Sequence, residues 1–343
     1  MKESYTVLHA APSHMEQWAA YANGHPDATV MHHPAWRAVL REAFSVEDRF
    51  FVAENKDGRI VGILPAYFSK SPVWGPHLAA LDGGPLADDA GVAAALGAQA
   101  LRTAREKGAC FINLKNDMVL ENQPSTRMEC IWPYLPLADG SEAILASLHK
   151  KTRWNIRQGP RNGLSVEEAP DGIDEFYAVF SRRMKELGTP VVPYAMFTSM
   201  RRNFGRDMRL FLVRQGGQCL GGMVCIRHGG DWHSLQAATD MGSKKLFPNY
   251  TLYWSVIEYA CADGADNFHF GRSAPNSGTA QFKHKWTREC LSTTYRVHKL
   301  TSKCPDFDKI HSKNTLSQRL WMKLPVALTN VVGPLIRRRL PFL

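Results

Sequence analysis

The chain has 343 residues, which is enough for two domains that each bury a core. Its hydrophobic content of 44% and charged content of 22% are ordinary for a globular protein and exclude a mostly disordered chain. The net charge of +10 is concentrated in residues 301–343, which hold eight Lys or Arg and two Asp, so specific anionic partners are favoured over general coating of nucleic acid.

Cysteine usage and hydropathy bear on location. The seven cysteines include no CxxC pair, so neither a disulfide framework nor a zinc module is expected. No signal peptide follows Met1, and no stretch of about 20 apolar residues is long enough to span a bilayer. His32 and His33 are adjacent, and their rings diverge on any regular element, so no metal site is expected there. We expect a cytoplasmic protein with reduced thiols.

Hydrophobic spacing predicts alternating helices and strands along the chain. Two early helices contain Trp18 and Trp36, and a Gly- and Pro-rich loop is expected over residues 71–85. A longer helix is expected from Asp139 to about Gln158, where Gly159 and Pro160 would stop it. The other predicted strands are 49–53, 60–68, 110–114, 209–214, 220–227 and 232–238, and the other predicted helices are 92–107, 173–187 and 195–203.

The order of elements occurs twice. Residues 49–63 align without gaps on residues 209–223, at an offset of 160, and each copy has the pattern of a strand, a polar turn and a second strand crossing a glycine. A helix and a further strand follow each hairpin, at 92–114 and 251–270, with an offset of 156 at the later strand. The repeat predicts an α/β (α+β) fold of two like units, each a mixed sheet flanked by helices.

A basic segment without any acidic residue runs from Ala143 to Val166. On a helix, Lys150, Arg153 and Arg157 share one face, and Arg161 follows the predicted helix stop. Like charges at this spacing repel one another, and guanidinium groups bind phosphate through two hydrogen bonds. The segment is therefore either an anion-binding face or a solvated basic face.

Two further segments combine basic residues with the ends of regular elements. Residues 268–273 form a buried strand that ends at Gly271, Arg272 and Ser273, and Lys283 follows in residues 278–286. Ligands of open α/β sheets bind at such strand ends, so Arg272 and Lys283 could stabilise an oxyanion or a donor phosphate. The alternative is a strand cap and a surface hairpin. Residues 244–250 place two lysines before a helix that contains Tyr250, as a phosphate site or as simple helix packing.

The tail, residues 301–343, joins apolar residues to a cluster of arginines. Apolar burial combined with attraction to anionic lipid anchors a peripheral protein to a membrane. The tail therefore either contacts the inner face of the membrane or packs on its own domain.

Three patterns together resemble the FemAB-like family, in particular its branch found beside exosortase and exopolysaccharide genes of bacteria. They are Lys151-x-Arg153-x-x-Ile156-Arg157-x-x-x-Arg161-x-Gly163, Phe270-Gly271-Arg272-Ser273 and Phe282-Lys283-x-x-Trp286. The resemblance covers about residues 5–300, and the second half also resembles the acetyltransferase-6 domain. It implies two tandem GNAT-like domains at 1–138 and 139–300, followed by the basic amphipathic tail at 301–343.

The resemblance further implies an acyl- or aminoacyltransferase that acts on a cell-envelope saccharide or a peptidoglycan-type precursor. By analogy, Lys283 and Arg272 would assist the transfer, and the residues that bind substrate would be Lys150, Arg153, Arg157, Arg161, Tyr250 and Ser273. No tightly bound cofactor or metal is implied. The donor would be aminoacyl-tRNA or acyl-CoA, and the acceptor a phosphate-bearing precursor. A coenzyme A-dependent N-acetyltransferase and a non-catalytic module that binds an anionic glycan or lipid carrier are the alternatives.

Overall fold

The computed structural model describes residues 5–72, 74–115, 118, 120, 123–302, 304 and 316–340. Its strands are β1 Tyr5–His9, β2 Glu47–Asp48, β3 Phe51–Asn55, β4 Ile60–Leu64, β5 Ala66–Ser71, β6 Gly75–Ala80, β7 Leu86–Ala87, β8 Phe111–Lys115, β9 Ser125–Pro136, β10 Leu164–Glu168, β11 Met208–Gln215, β12 Gln218–His228, β13 Asp231–Thr239, β14 Asn267–His269 and β15 Cys290–Lys299. Its helices are α1 Met15–Gly24, α2 Trp36–Phe44, α3 Ala90–Glu106, α4 Gly140–Ser147, α5 Lys150–Arg161, α6 Ile173–Glu186, α7 Tyr194–Phe204, α8 Pro248–Ala262, α9 Gly278–Lys283, α10 Leu316–Lys323 and α11 Val326–Arg337.

The chain divides into two compact units. The first contains the chain up to Glu129 together with the segments that start at Thr293 and at Leu335. The second contains Cys130–Ser292 and the tail segment that ends at Pro334. The basic residues Lys303, Lys309 and Lys313 of the tail lie outside the described residues.

The first unit contains two groups of paired strands. One has the order β1-β3-β4-β7, and the other has the order β15-β8-β6-β5-β2. All pairs are antiparallel except β6 with β8. Helix α3 packs on the first group, because Val92, Leu96 and Ala100 along one helix face are buried against strand residues such as Phe51 and Leu64.

The second unit contains the strand order β10-β11-β12-β13-β14-β9, and only β13 and β14 run parallel. Helix α8 contacts β10, β11, β12 and β13, and α6 contacts β12 and β13. The hydrophobic core between α8 and the sheet includes Phe211, Trp232 and Phe268 on the strands and Leu252 and Val256 on the helix. The sheet is therefore mixed, mostly antiparallel and flanked by helices, as predicted.

The predicted repeat is confirmed in detail. Each unit has an antiparallel hairpin whose register shifts at one position, between Ala53 and Glu54 in the first and between Val213 and Arg214 in the second. These positions correspond at the offset of 160. The later strands begin at Phe111 and at Asn267, and each pairs in parallel with an earlier strand of its unit, β8 with β6 and β14 with β13.

Two predictions of local structure were wrong. The loop expected over residues 71–85 contains β6, which forms because β5 and β8 pair with its two edges. The single helix expected from Asp139 to Gln158 is broken, because Leu148 has an extended backbone (ψ 148°). The second piece, α5, continues through Pro160 and is followed by Gly163, whose φ of +73° suits a glycine after a helix end.

Buried histidines make the stability of the first unit sensitive to acid. His77 is completely buried and stacks on Phe111, with ring centroids 4.8 Å apart. Its Nδ1 donates to the Gly75 carbonyl, whereas its Nε2 has no hydrogen-bond partner among the described residues. Burial lowers the pKa of His77 from 6.5 to about 4. The ring is therefore neutral in the folded protein near pH 7.

We predict that the free energy of unfolding falls as the pH drops from 6.5 towards 4. In this range the unfolded chain takes up a proton at His77 and the folded chain does not, so acid favours unfolding. In His77→Gln the free energy of unfolding should fall by about 2 kcal/mol less over this pH range than in the wild type. Urea unfolding at several pH values measures the slope, and His9→Gln, at an exposed histidine, is the control. Equal slopes in His77→Gln and the wild type would contradict the prediction.

Candidate functional site

A hollow in the second unit has a volume of about 810 Å³. Its walls come from the link between α4 and α5, from α5 itself, from α8 and from the segment after α9. The lining residues are Leu135, Ser147, Leu148, His149, Lys151, Thr152, Asn155, Tyr250, His284, Lys285, Trp286, Thr287, Arg288 and Glu289. All of them belong to the second unit.

A smaller hollow of about 320 Å³ lies where β13 ends and α8 begins. It is lined by Lys151, Asn155, Thr239, Asp240, Met241, Lys244, Phe247, Pro248, Asn249, Tyr250, Phe282 and Lys285. Four of these residues, Lys151, Asn155, Tyr250 and Lys285, also line the larger hollow. The two hollows are therefore neighbours with a shared wall.

The break between α4 and α5 allows α5 to start in a new direction, and one side of α5 then lines the hollows. His149 caps the new helix, because its Nδ1 accepts a hydrogen bond from the Lys151 backbone N–H at 3.2 Å. Thr152 and Asn155 on the inner face of α5 are buried and line the larger hollow. The link that breaks the helix supplies lining residues as well, including Leu148.

Helix α5 approaches α8 closely at Gly159. A Cβ atom built on Gly159 would lie 1.8 Å from Thr251 Oγ1 and 2.9 Å from Thr251 Cβ, which no pair of real atoms allows. Thr251 is buried in the first turn of α8, and its Oγ1 donates to the Phe247 carbonyl at 3.1 Å. The absence of a side chain at Gly159 therefore sets the separation of the two helices beside the hollows.

The start of α8 has a strained backbone. Phe247 has φ of +65°, in the left-handed region that residues with a side chain rarely adopt, and Pro248 follows it. The Phe247 ring makes an edge contact with Trp154 of α5, with centroids 5.4 Å apart. Strain of this kind is held by surrounding packing and is common at ligand sites.

Tyr250 and Lys285 form a polar pair in the wall shared by the hollows. Lys285 Nζ donates to the Tyr250 hydroxyl at 3.1 Å. The Tyr250 ring packs against Phe282 and Trp286, with centroids 5.5 and 6.0 Å away. Rigid aromatic packing thus fixes the position of a hydroxyl and an ammonium group at the hollows.

Trp286 adds a donor whose hydrogen bond is missing. Its indole ring is buried in the wall of the larger hollow, and Nε1 finds no acceptor in the part of the chain that the structure describes. An unpaired buried donor costs about 1–3 kcal/mol.

The hollows are electrostatically positive. Four cationic side chains line them, namely Lys151, Lys244, Lys285 and Arg288. The lining carboxylates are Asp240 and Glu289. Asp240 is already engaged, since its Oδ2 accepts hydrogen bonds from the Ser243 backbone N–H and hydroxyl. The surplus of positive charge suits a ligand that carries phosphate or carboxylate.

Lys283 is buried and lies close in sequence to residues of the hollows, but it lines neither of them. Its side chain is buried, and Nζ donates to the carbonyl oxygens of Gly271 at 2.7 Å and of Arg272 at 3.1 Å. Burial and, to a smaller extent, the positive charge of Arg272 lower the pKa of Lys283 from 10.5 to about 7. Lys283 therefore braces the turn that follows β14.

Ser273 continues this turn along β9. Its backbone N–H donates to the Ile131 carbonyl at 2.8 Å, and its carbonyl accepts from Ile131. The side chain is buried, and its Oγ has no hydrogen-bond partner within the described ranges. Arg272 and Ser273 are thus close to Lys283 in space, as their motif suggests, but neither lines the two hollows.

None of the residues of the predicted basic face of α5 lines either hollow. Lys150, Arg157 and Arg161 are exposed, and Arg153 donates to the Ala146 carbonyl. The structure brings Lys151 and Asn155 to the hollows, one helix turn apart on a neighbouring face. Of the predicted substrate-binding residues, Tyr250 lines both hollows.

Sequence reasoning did not include Lys151, Asn155, Lys285 or Trp286 among the site residues. Lys151 and Trp286 are part of the quoted patterns, and Lys285 adjoins Trp286, so the signal was present. The face of a helix that meets a cavity follows from tertiary packing, which a charge count along the segment does not reveal.

One group among the described residues has the composition of a metal site, namely Asp231, His233 and His269. The two histidine rings are stacked with centroids 4.4 Å apart and planes only 9° apart. The lone pairs of two stacked rings lie in separate, nearly parallel planes, so the two rings cannot direct them at one ion. His269 Nε2 donates to Asp231 Oδ2 at 2.8 Å instead, and burial lowers the pKa of His233 well below its ordinary value. The two histidine rings are therefore stacked, and His269 is hydrogen-bonded to Asp231.

Comparison with known proteins bears on the fold of the chain. Residues 146–284 match the family described as acetyltransferase (GNAT) domain, and they include the residues that line both hollows except Leu135 and the segment after His284. No curated protein matches the chain. Among solved structures, FemX is similar with a TM-score of 0.64 and 14% identity, over 85% of this chain and 96% of FemX.

The protein has a FemAB-like tandem GNAT fold. A tandem GNAT protein from the clavulanic acid biosynthesis pathway is similar with a TM-score of 0.53 and 14% identity, over 88% of this chain and all of that one. The C-terminal domain of a proposed lysylphosphatidylglycerol synthetase from Agrobacterium fabrum has a TM-score of 0.57 and 12% identity, over 83% and 92% of the two chains. A GNAT domain uses acyl-CoA as a substrate and holds no tightly bound cofactor.

We predict that Gly159→Ala destabilises the second unit by about 1–3 kcal/mol, because the new methyl group overlaps Thr251 and forces α5 away from α8. Thermal unfolding should show a lower midpoint. Gly278→Ala is the matched control, since a Cβ atom there meets nothing within 4 Å. Equal midpoints for the two variants would show that the helices separate without cost.

Proposed function

We propose that this tandem GNAT protein is an acyl- or aminoacyltransferase whose acceptor is a phosphate-bearing cell-envelope saccharide or peptidoglycan-type precursor. The observation that supports it most is the pair of adjoining, positively charged hollows in the GNAT domain, which share Lys151, Tyr250 and Lys285. Two hollows that meet at one wall suit a donor and an acceptor whose reactive groups must touch.

The donor is assigned to the smaller hollow. It lies at the start of α8, where the helix dipole and the nearby Lys244 favour an anionic group. Apolar residues of the same hollow, such as Met241 and Phe282, suit an acyl chain. The donor is an acyl-CoA or an aminoacyl-tRNA. The GNAT family match favours the former as a second candidate function, a coenzyme A-dependent N-acetyltransferase.

The acceptor is assigned to the larger hollow, where its amine or hydroxyl attacks the donor carbonyl carbon. The carbonyl becomes a tetrahedral oxyanion, which then expels the thiolate or alkoxide of the donor, and the proton of the nucleophile leaves with that group. Lys285, which lines both hollows, is a donor that can stabilise the oxyanion. Donors held in place before the reaction cost little reorganisation when the charge develops.

In our proposal, Lys283 and Arg272 do not touch the substrates but hold the turn that positions the lining residues. Since Lys283 spends two hydrogen bonds on the carbonyls of Gly271 and Arg272, it holds the turn that leads to α9 and to Lys285. Its effect on turnover is therefore transmitted through the position of Lys285 and Trp286. Arg272 and Ser273 depend on the same brace.

The exposed cations of α5 extend the acceptor site. Arg157 and Arg161 make no ion pair with any described residue, so they remain available to a phosphate that projects beyond the larger hollow. Lys150 and Arg153 lie on the same helix, one turn nearer to the hollow. We place the reaction at the inner face of the cytoplasmic membrane, where such precursors are assembled. No helix among the described residues has the length and hydropathy to span a bilayer.

A donor screen tests the function. Purified protein is incubated with acetyl-CoA, longer acyl-CoA or charged tRNA, each with and without a diphosphate-linked muropeptide or saccharide precursor. Transfer that requires the precursor supports the proposal. Transfer from acetyl-CoA to small amines alone would instead establish the N-acetyltransferase. Binding of the precursor without turnover of any donor would identify a non-catalytic module.

We predict that Lys283→Met lowers turnover by about tenfold to a thousandfold while a folded protein is retained, because the brace of the Gly271–Arg272 turn is lost. Turnover and thermal midpoint are measured together. Lys185→Met, at a lysine on α6 outside both hollows, is the control. Wild-type turnover in a folded Lys283→Met variant would reject the role.

For the acceptor, we predict that Lys151→Met raises KM at least about tenfold, because the cation lines the hollow. Arg157→Ala should weaken acceptor binding by a few-fold only, since this side chain lines neither hollow. A titration of the precursor gives both affinities. Unchanged affinity in Arg157→Ala would show that the basic face of α5 is not part of the acceptor site. Unchanged affinity in Lys151→Met would show that the acceptor does not bind in the larger hollow.

A further inference from the structure

The tail helices α10 and α11 have an inverted distribution of side chains. In α11 the buried residues are Thr329 and Gly333, while Leu328, Val331 and Leu335 are exposed on the other side. The exposed fractions of Val331 and Leu335 are 66% and 58%. A surface helix of a globular protein normally buries its apolar stripe and exposes its polar one.

Close packing fixes this orientation. A Cβ atom on Gly333 would lie 3.1 Å from the Val191 backbone nitrogen and 3.5 Å from Trp321, so α11 rests directly on the second unit through its small residues. Helix α10 is held in the same way, because Gln318 packs beside Gly188. The helices cannot roll over to hide their leucines without losing these contacts.

The outward face of α10 continues the apolar surface and adds charge. Leu316 and Leu320 are one turn apart, with exposed fractions of 73% and 56%. Arg319 and Lys323 are exposed on the same helix. Residues 316–340 contain five basic residues and no Asp or Glu. We call this face of α10 and α11 the tail surface; its members are Leu316, Arg319, Leu320, Lys323, Leu328, Val331 and Leu335.

We propose that the tail surface docks on an anionic lipid bilayer. Aliphatic side chains that project from helices lying flat, flanked by Lys and Arg, can enter the boundary between headgroups and acyl chains while the cations meet lipid phosphates. The long stems of Arg319 and Lys323 allow their charges to remain among the headgroups. Protein interfaces, in contrast, centre on aromatic and Arg anchors, and the exposed apolar side chains here are aliphatic.

This inference is independent of the transfer chemistry, because binding to vesicles is measured without donor or acceptor. The protein is sedimented with vesicles of phosphatidylcholine and phosphatidylglycerol in a 7:3 ratio, and with vesicles of phosphatidylcholine alone. We expect at least about tenfold tighter binding to the anionic vesicles, and weaker binding at high salt. Equal binding to both, or none to either, would overturn the proposal.

Variants assign the binding to this surface. The pair Val331→Gln and Leu335→Gln should lower affinity for anionic vesicles by at least about tenfold, with an unchanged thermal midpoint because both side chains point outward. The pair Arg319→Gln and Lys323→Gln should lower it several-fold and reduce the salt dependence. Leu291→Gln, at another exposed leucine, is the control.

A second copy of the chain is the competing occupant. Light scattering in solution decides between them, because a self-association surface would give a dimer that the Val331→Gln and Leu335→Gln variant converts to a monomer. A wild-type monomer that binds anionic vesicles supports the lipid assignment. A wild-type dimer whose dissociation in the variant accompanies unchanged vesicle binding would refute it.

Discussion

The contact between Gly159 of α5 and Thr251 of α8 is the constraint on which the candidate site depends. Only a residue without a side chain allows the two helices to come this close. The contact places Lys151 and Asn155 of α5 opposite Tyr250 at the start of α8. Without it, the wall common to the two hollows would open, and the groups assigned to donor and acceptor would separate.

Two neighbouring lysines of the second unit differ in burial and in what they bind. Lys283 is buried and spends its hydrogen bonds on backbone carbonyls, whereas Lys285, two residues later, lines both hollows and bonds the Tyr250 hydroxyl. Lys285 is exposed, as are Arg157 and Arg161, but of these three only Lys285 lines the hollows. The turn held by Lys283 leads to α9 and on to Lys285.

In the tail, the packing that holds the helices in place also exposes apolar side chains to water. Gly333 and Thr329 pack well because they are small, and this leaves Val331 and Leu335 in water. A sequence under no other demand would exchange the exposed leucines for polar residues at little cost to folding. Their presence beside the exposed Arg319 and Lys323 agrees with the proposed lipid partner, because a bilayer surface is apolar and anionic at once.

The sequence by itself determined the doubled α/β architecture, because hydrophobic periodicity and the offsets of 160 and 156 are local properties that survive in the folded units. It also located the segments around Lys151 and Lys283. Only the tertiary structure decided which side of α5 faces a cavity, since the break at Leu148 and the approach at Gly159 involve partners far along the chain. It likewise decided that Lys283 bonds backbone carbonyls and that the tail leucines point outward, because burial depends on what packs against a residue and not on the residue alone.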